Sequence, residues 1–127
     1  MPNSAETSVT LPRVSDQVSI RLTPNGKLAD VPFVIRLFDP GATQDGKKIP
    51  AEKDSELDTE YDLETAAQDL VGYKVLCAGK VLFPQKDKVT LSCEFFVDGD
   101  KLKDSPDQTI SGDAGADVPF TFRCKFV

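Results

Sequence analysis

Apolar and polar residues alternate with a period of two through much of the chain. Val18, Ile20 and Leu22 alternate with Ser19 and Arg21, and Val31, Phe33, Ile35 and Leu37 alternate with Pro32, Val34 and Arg36. Both patterns predict half-buried strands. Between them lies Asn25-Gly26, the pair best suited to the two positive φ values of a type I′ turn. A two-residue loop there sets Leu22 opposite Ala29, Ile20 opposite Val31 and Val18 opposite Phe33, which predicts a hairpin with one apolar face. Farther on, Val89, Leu91, Cys93, Phe95 and Val97 alternate with Thr90, Ser92, Glu94 and Phe96, and Asp98-Gly99 offers a second hairpin turn toward Leu102. The segments Tyr73 to Cys77 and Lys80 to Phe83 flank Ala78-Gly79 and predict a further hairpin. The last strand points Val118, Phe120, Phe122, Cys124 and Phe126 inward, with Thr121, Arg123 and Lys125 outward.

One stretch keeps a helical period. From Asp62 to Gly72, an N-cap candidate is followed by Leu63, Ala66, Ala67 and Leu70 on one face and then by a glycine, which predicts one short helix. Six or seven antiparallel strands rich in hairpins, with one short helix, make the expected fold mainly β: a β-sandwich, or alternatively a small β-barrel. The length of 127 residues suits a single domain over residues 1–127, with 1–8 read as a loose N-terminal extension.

The sequence echoes itself once. Ala29-Asp30-Val31-Pro32-Phe33-Val34-Ile35-Arg36 returns as Ala116-Asp117-Val118-Pro119-Phe120-Thr121-Phe122-Arg123. Two strands that begin alike at related places explain it, because proline enters a strand where no ladder N–H is needed. A pseudo-twofold relation between two hairpins is the expected consequence, and two equivalent ligand points are the functional alternative.

Charge departs from the average. The net charge is −6, yet Glu52 to Asp69 holds eight acids against Lys53 alone, a local charge of −7 that leaves the remainder at +1. Nucleic acid and anionic membrane are therefore poor partners for this chain. Within this run the acids fall at 52, 54, 56, 58, 60, 62 and 64, with Leu57, Tyr61 and Leu63 on the other parity. Extended backbone puts these carboxylates on one side at intervals of about 6.7 Å. Such a row at Asp54, Glu56, Asp58, Glu60, Asp62 and Glu64 suits a protein partner with a basic surface. It is also a device by which sheet edges resist pairing with one another.

Histidine is absent, which removes the usual general base and the commonest metal ligand. No arrangement of Ser or Cys with an adjacent base is evident, and neither phosphate-binding glycine motif occurs. Cys77, Cys93 and Cys124 are odd in number with no CxxC pair, so they read as buried thiols in a cytoplasmic or otherwise reducing compartment. The first residues lack a signal-peptide pattern and no apolar run spans a membrane, although a secretion signal removed before position 1 leaves no trace. Calcium is the one cofactor with a foothold, through Asp98, Asp100 and Asp104; against it, Leu102 stands where an EF-hand ligand belongs, and Asp with Gly is what turns require anyway.

The expected function is that of a non-enzymatic binding protein working through protein–protein contacts: an inhibitor, immunity-type or assembly component with an acidic docking edge. The alternative is a calcium-assisted carbohydrate- or lipid-binding β-sandwich. Oligomeric state is not legible in the sequence.

Overall fold

The computed structural model describes residues 6–25, 31–41, 46–50 and 55–127. Ten strands and one helical turn follow in the order β1 (Glu6–Val9), β2 (Gln17–Asn25), β3 (Phe33–Phe38), β4 (Lys47–Ile49), β5 (Tyr61–Ala66), α1 (Ala67–Leu70), β6 (Lys74–Leu82), β7 (Asp87–Val97), β8 (Asp100–Lys101), β9 (Asp107–Gly112) and β10 (Asp117–Phe126). They form two sheets rather than a closed barrel, which is the β-sandwich the alternation implies. One sheet runs β1-β10-β6-β3-β4. The other runs β5-β2-β7, and the far edge of β7 is shared by β8 and β9.

The period-two segments bury one parity, as expected for facing sheets, except in β7, where Glu94 and Phe96 of the outward parity are buried as well. Val18, Ile20 and Leu22 of β2 and Leu91, Cys93 and Phe95 of β7 face Ile35, Val75, Cys77, Phe122 and Phe126 in a single core. Phe95 and Phe126 meet edge to face across the interface, with ring centroids 5.3 Å apart. Burying an aromatic side chain in this way is worth several kcal/mol against its truncation.

The partners of the strands differ from the hairpin expectation. β2 pairs with β7, so that Leu22 lies opposite Cys93, Ile20 opposite Phe95 and Val18 opposite Val97. Phe33, expected opposite Val18, instead pairs with Gly79 of β6 in the other sheet. β2 stays paired through Pro24 and Asn25, which oppose Leu91 and Thr90, so the chain leaves one sheet and enters the other between Asn25 and Phe33. Gly26 and Ala29 lie outside the described residues. Alternation fixes which face of a strand is buried, and a neighbour in the same sheet or a strand in the facing sheet satisfies it equally.

Ala78-Gly79 makes no turn. β6 runs unbroken from Lys74 to Leu82, and a Cβ on Gly79 would fall on the Pro32 carbonyl oxygen and 2.5 Å from the Phe33 Cβ. Glycine is there for close approach of the next strand. Asp98-Gly99, by contrast, is a hairpin turn as expected. Both residues have positive φ, 51° and 79°, and they return β8 onto Phe96 and Val97.

The helix is shorter than its sequence pattern. Leu63 and Ala66 belong to β5, and α1 begins at Ala67 without a side-chain cap. Its first amides are taken instead by carbonyls of the β1–β2 loop, Ala67 N–H by Asp16 and Gln68 N–H by Val14. Those tertiary bonds satisfy donors that a capping side chain otherwise serves. The N-terminal extension is also partly structured: Glu6–Val9 pairs in parallel with Arg123 to Phe126, which joins the chain's two ends in one sheet.

The echo is real in space. Phe33 and Phe120 both pair with Gly79, Ile35 and Phe122 with Cys77, and Arg36 and Arg123 with Leu76. β3 and β10 thus flank β6 in one common register. They are related by translation across the sheet, not by the expected twofold between hairpins.

Candidate functional site

From Ser55 on, the acidic segment is folded along the β4/β5 side of the sandwich. Ser55 anchors it: its N–H donates to the Phe33 carbonyl at 3.2 Å and its buried hydroxyl to the Ile49 carbonyl at 2.7 Å. Asp58 sits in a turn with φ 58° and donates its N–H to the Leu22 carbonyl of the other sheet at 2.9 Å. The Glu56 N–H donates to the Tyr61 hydroxyl at 2.8 Å, closing a compact loop between these two anchors.

Glu56, Asp58, Glu60, Asp62 and Glu64 are all exposed, and Asp54 lies outside the described residues. The outward parity read from the period of two holds over 60–64, where Tyr61 and Leu63 turn inward. The row is nevertheless not straight: it bends at Asp58, φ 58°, and again at Glu64, φ 60°, where β5 bulges against β2, because a residue with positive φ cannot continue an extended strand. The remaining carboxylates are held in place. Glu60 accepts from the Ser19 hydroxyl at 2.6 Å. Asp62 accepts from the Glu64 N–H at 2.6 Å, and the Gln17 amide, with its nitrogen turned inward, donates to the same carboxylate. Glu64 accepts from Lys47 Nζ at 2.8 Å, and this hydrogen bond and charge hold its carboxyl below the usual range. The result is a curved, preorganised acidic rim rather than a ruler of charges.

The calcium candidates do not converge. Asp98 is in the β7–β8 turn, Asp100 in β8, and Asp104 accepts from the Thr10 N–H at 3.1 Å. Among the described residues, no three acids, cysteines or histidines are grouped to hold a metal ion. The three thiols are buried together in the core. The neighbouring Cys124 pulls the Cys93 thiol down, while Cys77 and burial push it up further, so it lies well above its ordinary value. Cys124 is raised as well, by the neighbouring Cys93 and by burial. Thiols held protonated in a core are poor nucleophiles.

Two surfaces escaped the sequence reading. On the outer face of the β2/β7 sheet, Glu94 is nearly buried beneath Arg21, Thr23 and Lys101, at 3.1, 2.6 and 3.3 Å. Arg21 also lies over the Phe96 ring, 4.9 Å from its centroid, which covers an aromatic on the solvent side. The outer face of the other sheet is basic. Lys125, Lys74 and Phe38 form one cross-strand row, and Arg123, Leu76, Arg36 and Lys48 form the next. A cleft of about 210 Å³ opens there between Phe38, Leu76, Lys74 and Arg123. The matching arginines of the echo were the available signal. Reading it required knowing that one strand separates them.

The chain has no significant match among protein-family models, curated proteins or solved structures. No helix among the described residues is long and apolar enough to cross a membrane.

Proposed function

We propose that the protein is a non-enzymatic binding module that engages a basic protein surface through its acidic rim, as an inhibitor, immunity-type or assembly component. The observation that carries this reading is the anchored exposure of Glu56, Asp58, Glu60 and Asp62. Ser55 and Asp58 tie the segment to both sheets, and Ser19 and Gln17 hold two of the carboxylates, yet all four side chains face solvent. Charges fixed before encounter steer association and set specificity without an ordering cost at binding.

The test is kinetic. A partner captured from the source cell is measured against wild type and against a variant with Asp54, Glu56, Asp58 and Glu60 changed to Asn or Gln. The expected result is association slowed about tenfold or more with little change in dissociation. Raising salt weakens the wild type and hardly affects the variant, because screening over about 10 Å in 0.1 M salt removes the same steering. Equal association rates for the two proteins would leave the rim as an aggregation-resistant edge.

A further inference from the structure

We infer that the basic surface met by the acidic rim is the outer β10-β6-β3 face of a second copy of this chain, so that copies associate head to tail. This rests on the reading of the rim as a docking surface and names its partner. Among the described residues the face is open and opposite in sign to the rim: Arg36, Lys74, Arg123 and Lys125 stand around Leu76, Phe38 and Val34, all at least partly exposed. Among the described residues, Glu6 pairs with Lys74 at 3.4 Å, and Asp117 lies at the far end of the face against Lys80. At a strand spacing of about 4.8 Å, Arg36 and Arg123 sit about 10 Å apart across Leu76, a fork for two carboxylates. The cleft beside Leu76 and Phe38 gives an apolar floor between the cations.

One copy cannot satisfy both surfaces. The rim lies beside β4 and β5, fixed there by the Lys47–Glu64 ion pair; Arg36 is on the neighbouring β3, whereas Lys74, Arg123 and Lys125 stand on β6 and β10, two and three strands away from β4. That is a distance of about 10–14 Å along the sheet, with the rim turned to the side of the sandwich. Two different patches that complement each other make a heterologous contact, which builds open chains of copies unless the rotation closes a ring. Two molecules of charge −6 repel at long range. At about 0.1 M salt that repulsion is screened over about 10 Å while ion pairs in contact persist, so association belongs to this intermediate range.

Sedimentation velocity on the whole chain, over a concentration series at 0.1 and 0.5 M salt, tests the inference. Wild type is expected to associate reversibly at 0.1 M and to dissociate at 0.5 M. Arg36→Glu with Arg123→Glu reverses the face, and Asp58→Lys with Glu60→Lys reverses the rim; each pair is expected to weaken self-association at least tenfold. Mixed together, the two variants are expected to associate again. Their net charges, −10 and −2, are both negative, so bulk attraction does not explain recovery. Circular dichroism and melting confirm that each variant is folded, and Lys74→Glu with Lys125→Glu replaces the arginine pair if it is not. A wild type that stays monomeric up to about 1 mM overturns the inference, as does self-association indifferent to either reversal. If the monomeric wild type still loses a captured basic partner when its rim is neutralised, self-association alone fails and the acidic docking surface stands.

Discussion

Glu94 shows how one carboxylate organises the outside of a sheet. Burial alone would raise its pKa, but hydrogen bonds from Thr23, Lys101 and Arg21 outweigh that and hold the carboxyl below its ordinary value. A depressed folded pKa contributes stability that is complete above the unfolded value of about 4.3 and is lost as pH falls through the folded one. Glu94→Gln keeps the shape and removes the charge. Its hydrogen bonds from charged donors are worth about 1.5–3 kcal/mol, so the variant should be less stable than wild type at pH 7. The gap should narrow as pH drops below about 4. Urea unfolding of both proteins from pH 7 to pH 3 measures this, and a gap that widens toward acid would assign Glu94 the opposite shift. Nothing in the alternation around Phe96 foretold the arrangement. A strand pattern marks Glu94 as outward, and only the neighbouring strands supply the arginine and lysine that cover it.

At the scale of elements, β6 is the spine of its sheet, and Gly79 is the residue that both Phe33 of β3 and Phe120 of β10 oppose. Gly79→Ala would push a methyl group into the Pro32 carbonyl and Phe33, contacts made by backbone and Cβ atoms that have no rotamer to escape into. Overpacking of this kind costs about 1–3 kcal/mol. Thermal melting should show the loss, whereas an unchanged melting temperature would mean that β3 shifts freely along β6. The same glycine shows what the sequence conceals. The strands around residues 18–22, 33–37, 89–97 and 118–126 and their buried faces were all legible, because a period of two survives whatever lies beside a strand. Strand partners were not. Ala78-Gly79 and Asn25-Gly26 have the composition of turns, yet β6 runs straight through the first pair and β2 is still paired at Asn25. Glycine serves a turn and a close strand approach equally well, and composition does not separate the two. In the acidic rim the parity over 60–64 was legible. The bend at Asp58 was not, because it is held by a bond to the Leu22 carbonyl in another strand.

Seen as a whole molecule, the sandwich is built mostly from pairings between distant parts of the chain. β1 joins β10, β10 joins β6, β6 joins β3 and β2 joins β7, while the β7–β8 hairpin is the tightest local connection among the described strands. The entropy of closing those long loops has to be overcome before the contacts they bring can stabilise anything, so the barrier is set by topology more than by local preference. α1 spans four residues and takes its first amide partners from Val14 and Asp16, which leaves little helical structure to form early on its own. Refolding should therefore take milliseconds to seconds, the range of all-β sandwiches. With no tryptophan and two tyrosines, Tyr61 and Tyr73, stopped-flow tyrosine fluorescence follows it directly. Tyr61 reports on the rim and Tyr73 on the start of β6, where its carbonyl accepts from the Phe126 N–H of β10. Coincident rates from Tyr61→Phe and Tyr73→Phe variants would show the two sheets forming in one cooperative step. A tyrosine phase completed within microseconds would instead mean that local structure, not the joining of distant strands, limits this fold.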